Sequence, residues 1–383
     1  MAAQSKKPTH KKSRVREDEI RSKKAATKKK MAAKNDSKKK RFRIVLFIVE
    51  IFVLLLMGVV LYGVLKVEKT GKVEIPKEDI VINEEVKVKE ETTMRGYRNI
   101  ALFGVDSTTG ALTKNTRSDS IMIASINQDT GECKLVSVYR DTYLNLSNDS
   151  YNKCNAAYAK GGPEQAINML NMNLDMNITD FITVGFSGLS DTIDALGGVM
   201  IDVDSSEISH LNNYQICMAQ DLKRDSYTPV TSTGYQLLDG LQATAYCRIR
   251  YTAGDDFKRA ERQREVILAI MDKVKSASPS TLNQIANDVF GEVYTSLDLM
   301  EIIEMLGEVS RYQITDQGGF PEESMRATGT IGSKGSCVVP VSLEQNVIWL
   351  YKFLFEDEAY TPSEAVKEYS AKVEADTGKY INK

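Results

Sequence analysis

Between Asn99 and Thr142, five charged residues fall at the ends of three apolar runs. Asn99-Ile-Ala-Leu-Phe-Gly-Val-Asp106 ends in a carboxylate. Arg117-Ser-Asp119 opens Ser120-Ile-Met-Ile-Ala-Ser-Ile126, and Lys134-Leu-Val-Ser-Val-Tyr139 closes on Arg140-Asp141-Thr142. Apolar runs of this length, bounded by turn signals, read as buried strands. Paired as neighbours, they gather Asp106, Arg117, Asp119, Arg140 and Asp141 at one edge of a sheet. Buried without partners, such charges are costly. The cluster therefore either pairs internally or forms a binding site for a metal and an anion. Asp106 and Asp119 are hard oxygen ligands suited to Mg²⁺, which takes one or two carboxylates together with phosphate oxygens and water.

A second stretch adds cations. Tyr246-Cys-Arg248-Ile-Arg250-Tyr251 reads as a strand with both arginines on one face. After Gly254-Asp-Asp256 a helix begins, which Asp255 or Asp256 can cap. Its buried stripe of Ile267, Ile270, Met271 and Val274 continues backwards in steps of four to Gln263 and Arg259. Glu261 and Arg264 fall nearer the solvent side. Arg140, Arg248, Arg250 and Arg259 are forked donors that suit a pyrophosphate. Gln263 can orient one oxygen, and Lys153 can assist. Salt bridges from these arginines to Asp106, Asp119 and Asp141 use the same residues and predict the same proximity.

Other chemistries find little support. The only histidines are His10 and His210, so a histidine-dependent nucleophile is disfavoured. The five cysteines (Cys133, Cys154, Cys217, Cys247, Cys337) are scattered and lack metal spacing. There is no Walker loop. Gly161-Gly-Pro163 precedes a helical pattern from Glu164 to Leu174, and reads as a helix–helix turn rather than a phosphate cradle.

The elements that must carry these residues sit in an uneven chain. Residues 1–43 hold 18 Lys/Arg against 4 Asp/Glu, so the net charge of -2 over 383 residues hides a basic tail on an acidic body. That tail lacks apolar periodicity and reads as disordered. Ile44–Leu65 is 22 residues long with one charge, Glu50, long enough to span a bilayer as a helix. Lys66-Val-Glu-Lys follows in place of a small-residue cleavage site, so the span reads as an uncleaved anchor. The positive-inside rule puts the tail in the cytoplasm and the body outside. Nucleic acid is not an expected partner; the basic run suits topology and attraction to anionic membrane lipids. Residues 66–95 read as a stalk, 96–355 as the folded body and 356–383 as a polar tail that frays. Phe181–Phe186 and Val199–Val203 read as strands, Ser190–Leu196 and Leu343–Phe355 as helices, and 204–235 as a long loop. Residues 280–310 give two amphipathic helices.

At these residues the chain resembles the LytR–CpsA–Psr family of cell-envelope glycopolymer ligases. The resemblance runs from about Tyr97 to Val274, and more loosely to Phe355. It rests on Gly104-Val-Asp106-Ser, Arg117-Ser-Asp119, Ser137-Val-Tyr-Arg140-Asp141-Thr, Lys153-Cys-Asn155-Ala, Asp194-Ala-Leu-Gly-Gly198-Val, Leu238-Asp-Gly240, Arg248-Ile-Arg250 and Asp256-Phe-Lys-Arg259-Ala-Glu-Arg262-Gln263, in order and at family spacing. Tyr139 departs from the proline usual before the Arg-Asp pair. Spacing to Phe257 makes Asp256, rather than Asp255, the family aspartate.

The resemblance implies an α/β fold: a three-layer α/β/α sandwich with a mixed central sheet, preceded by one transmembrane helix. It implies a lipid-filled channel and transfer of a glycopolymer, such as teichoic acid or capsule, from a polyprenyl-pyrophosphate carrier to peptidoglycan. Within that frame the expected catalytic residues are Arg140, Asp141, Arg248 and Arg250. Those expected at the pyrophosphate are Arg117, Lys153, Asp256, Arg259, Arg262 and Gln263. Asp106 and Asp119 are expected on Mg²⁺. Three alternatives remain: a pyrophosphatase acting on the same carrier, a non-catalytic sensor of lipid-linked precursors, and a membrane-bound transcription regulator. The last is disfavoured because the tail lacks a helix-turn-helix pattern.

Overall fold

The computed structural model describes residues 71–381, except 73, 90, 108–111, 114, 251, 253 and 289–291. These lie in one compact unit, Lys66–Lys383. The basic tail 1–43, the span Ile44–Leu65, the first residues of the expected stalk and Tyr251 lie outside the described residues. No helix among the described residues is long and apolar enough to cross a membrane.

In chain order the elements begin with β1 (Gly71–Lys72), α1 (Glu84–Lys89), β2 (Tyr97–Val105), β3 (Ser118–Asn127), β4 (Glu132–Val138), β5 (Tyr143–Asn145) and β6 (Tyr151–Lys153). Next come α2 (Asn155–Leu174), β7 (Asp180–Val184), α3 (Phe186–Ala195), β8 (Val199–Val203), α4 (Ser205–Asp221), β9 (Gly234–Leu238) and α5 (Gly240–Tyr246). Then follow α6 (Asp255–Ser276), α7 (Pro279–Asp288), β10 (Val293–Thr295), α8 (Leu299–Gly307) and β11 (Gln313–Phe320). The chain closes with β12 (Arg326–Thr330), β13 (Ser336–Pro340), α9 (Leu343–Phe355) and α10 (Glu364–Thr377).

Seven of the described strands form a mixed sheet in the order β1-β10-β7-β2-β3-β4-β11, and the other six pair as β5-β6, β8-β9 and β12-β13. β2, β3 and β4 pair antiparallel in turn, while β7 and β11 run parallel to β2 and β4. Alternation sends successive side chains to opposite faces. Ala101, Phe103, Ile121, Ile123 and Val136 therefore pack on one side with Ile167 and Leu170 of α2 and Val347 and Leu350 of α9. Leu102, Met122, Ala124 and Leu135 face the other way, against Ile267 of α6. Helices thus cover both faces.

Several local expectations change in the folded chain. Residues 204–235, read as a loop, contain α4. Asp204 and Glu207 form a reciprocal capping box there, and Leu211 and Met218 are buried. The signal was an Asp-x-x-Glu start preceding apolar residues at helical spacing. Tyr246-Cys-Arg248-Ile-Arg250 is not a strand. The capping box of Asp239 and Gln242 starts a helix that runs to Tyr246, and the arginines follow it in a turn. A short apolar run is ambiguous between the two periods. The Gly161-Gly162-Pro163 turn is a kink inside α2, where Gly162 takes φ 69°.

Both expected flanks also make core contacts. Val86 and Met94 in the stalk stretch are buried in the main core, as is Val366 of α10. Val373 of α10 is buried as well. Full burial of a valine contributes about 1.5–3 kcal/mol. Asp175, at the end of α2, links the flanks. Its carboxylate accepts from Asn83 Nδ2 (2.6 Å), Tyr360 OH (2.8 Å) and the Ser363 N–H and hydroxyl (2.8 and 2.7 Å).

Candidate functional site

Because β2, β3 and β4 alternate in direction, the end of β2, the start of β3 and the end of β4 meet at one sheet edge. Asp106 follows β2, Asp119 lies in β3, and Arg140 and Asp141 follow β4. The turn after α5 brings Arg248 and Arg250 to the same place, and the first turns of α6 bring Asp256, Arg259 and Gln263.

Asp256 is the hub of the charges. Its carboxylate accepts from Arg250 Nε at 3.0 Å and Arg140 Nε at 3.4 Å, and pairs with Arg259 Nη1 at 3.2 Å. Burial alone would push this carboxyl up, but the guanidiniums of Arg259, Arg140 and Arg250 hold it below its ordinary value. Asp256 therefore does not cap α6; the N-cap is Gly254, with no side-chain cap bond. Arg140 also donates from Nη1 to Asp119 Oδ1 at 2.6 Å. It stands 3.8 Å from Asp141, which in turn pairs with Lys153 Nζ at 3.3 Å. Arg259 is 5% exposed. Burial first, and then the neighbouring Arg140, push its guanidinium down to about 10.

Above this cluster opens a cavity of about 390 Å³. Leu102, Met122, Ile182, Leu189, Val266 and Ile270 contribute its apolar wall, and Asp106, Asp119, Arg248, Arg250, Arg259 and Gln263 line it as well. Protein interiors are close-packed, so an apolar void of this size opening onto fixed polar groups has the form of a ligand pocket. Two buried N–H groups there have no partner, Arg248 Nη1 and Arg259 Nε. An orphaned buried donor is costly, and an anion at the mouth relieves both. Arg248 is held over the rings of Phe186 (4.5 Å) and Tyr214 (5.5 Å), contacts that only the tertiary fold brings together.

Other motif residues act as braces. The Cys154 thiol donates to the carbonyls of Tyr139 and Arg140, each at 3.2 Å, and the Asn155 N–H donates to Arg140 O at 3.0 Å. Lys153-Cys-Asn155 thus fixes the Arg140-Asp141 turn. Asp194 accepts the Gly240 N–H at 2.6 Å, which positions α5 and the arginines after it. Gly240 lies against the Ser190 carbonyl, with no room for a Cβ. Tyr139, which stands where the family has proline, donates its N–H to Phe320 O at 3.0 Å and so extends pairing with β11. Proline has no such donor.

Not every expected residue converges. Arg262 is 1% exposed and pairs with Glu207 at 2.7 Å; it also donates to Ile249 O and Thr252 Oγ1. It belongs to the packing between α4 and α6 and does not line the cavity, contrary to the expectation that it binds pyrophosphate. Arg117 and Lys153 line a separate groove. Arg264, expected near solvent, is buried and donates to Ser137 Oγ and Gln317 Oε1.

The residues present fit Mg²⁺. The Asp106 carboxylate has no protein partner among the described residues, and Asp119 keeps one oxygen beyond its bond to Arg140. Two hard carboxylates at one sheet edge suit the ion's need for oxygen ligands. Among the described residues no group of three or more acidic, His or Cys side chains forms an all-protein cage.

Comparison with known proteins follows this geometry. The LytR_cpsA_psr family model matches residues 62–338. The chain is 28% identical over 239 residues to the polyisoprenyl-teichoic acid–peptidoglycan teichoic acid transferase TagT of Bacillus subtilis, covering 60% of this chain and 71% of that one. It is 32% identical over 216 residues to the transferase of the same description, TagU, from Oceanobacillus iheyensis, covering 54% and 61%. The chain spans about half to two thirds of the length of several such relatives. A crystal structure from Enterococcus faecalis, titled a transcriptional regulator, superposes with a TM-score of 0.57 at 26% identity, covering 76% of this chain and 98% of that one.

Proposed function

The chain belongs to the LytR_cpsA_psr family, and from that membership we propose that it is a membrane-anchored phosphotransferase that moves a glycopolymer from a polyprenyl-pyrophosphate carrier to peptidoglycan. One observation carries the reading: two buried guanidinium N–H groups, of Arg248 and Arg259, stand without partners at the mouth of an apolar cavity. A prenyl chain suits the cavity, and a pyrophosphate supplies the missing acceptors. The anchor is Ile44–Leu65, with the basic tail cytoplasmic.

In this reading Arg140, Arg248, Arg250 and Arg259 hold the pyrophosphate, and Gln263 orients one oxygen. A hydroxyl of the acceptor sugar attacks the phosphorus nearest the polymer. The new P–O bond forms as the bond to the bridging oxygen breaks, and polyprenyl phosphate leaves. The hydroxyl proton passes to Asp141, which Lys153 and Arg140 hold at the cluster. Phosphoryl transfer spreads charge over the equatorial oxygens, so positioned cations matter more than a covalent nucleophile. Mg²⁺ on Asp106 and Asp119 supplies charge neutralisation there when bound.

The test is turnover of a synthetic prenyl-pyrophosphate disaccharide with peptidoglycan fragments. Arg248→Ala should lose about 2–4 kcal/mol of transition-state stabilisation, roughly 30–1000-fold in rate. Arg248→Lys should lose nearly as much, because the fork geometry goes with the guanidinium. Turnover within threefold of wild type in Arg248→Ala would make the arginine structural. Label released only as free sugar phosphate would make water the acceptor.

A further inference from the structure

Arg117 and Lys153 leave the pyrophosphate cluster to line a groove of about 270 Å³, together with Asn152, Asn155, Ser333 and Lys334. Three separate pieces of chain build it: the approach to β3, the continuous stretch from strand β6 into the start of α2, and the 3₁₀ turn Gly332–Lys334 between β12 and β13. Three cations line it and no carboxylate does. Arg117 and Lys334 have no ion-pair partner among the described residues. Asn155 is 4% exposed, and its amide has no hydrogen-bond partner among them either. Lys153 is paired with Asp141 at 3.3 Å, but two cations without an ion pair and an amide without a hydrogen bond on one concave wall favour an anion.

The groove adjoins the reacting centre. Lys153 reaches Asp141 at 3.3 Å, Asp141 stands 3.8 Å from Arg140, and Arg117 lies two residues before Asp119. The geometry points to a second anion subsite, separate from the pyrophosphate cluster, that takes a phosphate or carboxylate carried by one of the two sugar substrates beyond the reacting phosphorus. This rests on the phosphotransferase reading and gives that site a preference for polyanionic substrates. Arg117, Lys334 and the Asn155 amide grip the group. Lys153 is shared between the groove and Asp141.

Lys334→Glu tests it, because Lys334 is exposed on a turn outside the packed core and does not line the apolar cavity. Full-length protein in detergent is assayed with a prenyl-pyrophosphate disaccharide, either neutral or extended by one glycerol phosphate. Each donor is combined with peptidoglycan fragments whose stem carboxylates are free or amidated. The variant should raise KM about tenfold for the substrate bearing the recognised charge, with kcat unchanged. The difference should shrink as salt is raised. A shift that follows glycerol phosphate assigns the groove to the donor chain, and one that follows the free carboxylates assigns it to the acceptor. Equal effects on charged and neutral substrates, or none on either, overturn the subsite. Absence of transfer by the wild type from either donor is a different failure, that of the phosphotransferase reading.

Discussion

Arg259 and Arg262 lie three positions apart on one helix, and replacing each by alanine should separate binding from folding. Arg262 is 1% exposed, with charge-assisted bonds to Glu207 (2.7 Å) and Thr252 (2.7 Å) and a third bond to Ile249 O (3.2 Å). Its removal strands Glu207, itself 4% exposed, with the Asp204 N–H as its remaining donor. Breaking a buried pair from one side costs about 3–5 kcal/mol. For a domain of this size that is a fall in Tm of roughly 6–20 °C. Its dissociation constant for a short prenyl pyrophosphate, measured on folded protein, should stay within about threefold of wild type. Arg259→Ala should behave in the opposite way. Asp256 keeps Arg140 and Arg250, and a guanidinium with an orphaned Nε is removed, so stability should change by no more than about 1 kcal/mol. One charge-assisted contact to pyrophosphate disappears, worth about 1.5–3 kcal/mol, or roughly 10–150-fold in affinity. Urea denaturation and calorimetric titration of both variants measure the four quantities. An Arg262→Ala protein as stable as wild type, or an Arg259→Ala protein with undiminished affinity, would refute the reasoning that assigns the two arginines to different tasks.

Asp119→Ala should abolish Mg²⁺-dependent turnover while costing little stability, since Arg140 retains Asp256 and Asp141; unchanged Mg²⁺ affinity in a titration would place the ion elsewhere. The Asp256 carboxyl is held below its ordinary value in the folded chain. Its contribution to stability is therefore present above the unfolded carboxyl value of about 3.9 and is lost as pH falls through the lower folded value. The stability gap between wild type and Asp256→Asn should be widest near neutrality and narrow on acidification below about pH 4; a gap independent of pH over that window would contradict the pairing. Protease added to intact cells should digest the body beyond Leu65 and spare the basic tail, and full protection of the body would rule out the proposed topology.

Much of the site was legible in the chain. Strand-length apolar runs ending in Asp106, Asp119, Arg140 and Asp141 state that three strands carry charges at their ends, and antiparallel pairing brings those ends to one edge. The four-residue steps back from Ile267 name Arg259 and Gln263 as inward-facing, and both line the cavity. Hydrophobic period is local information, so it survives without knowledge of the partner surface. The fold decided what depends on the partner. Arg262 was assigned to the pyrophosphate with its motif, yet Glu207, 55 residues earlier, captures it. Arg248 and Arg250 looked like one face of a strand, because a short apolar run satisfies either period; the Asp239–Gln242 capping box settles it as a helix followed by a turn. The cavity was invisible for a more basic reason. Leu102, Met122, Val266 and Ile270 would have the same spacing whether they touched each other or a ligand, and only the distance between β2–β3 and α6 distinguishes a packed core from a pocket. The same holds for the groove: the sequence assigns Arg117 and Lys153 to the pyrophosphate and gives Lys334 no role, and the three become neighbours only because β6 and the turn before β13 meet beside the start of β3.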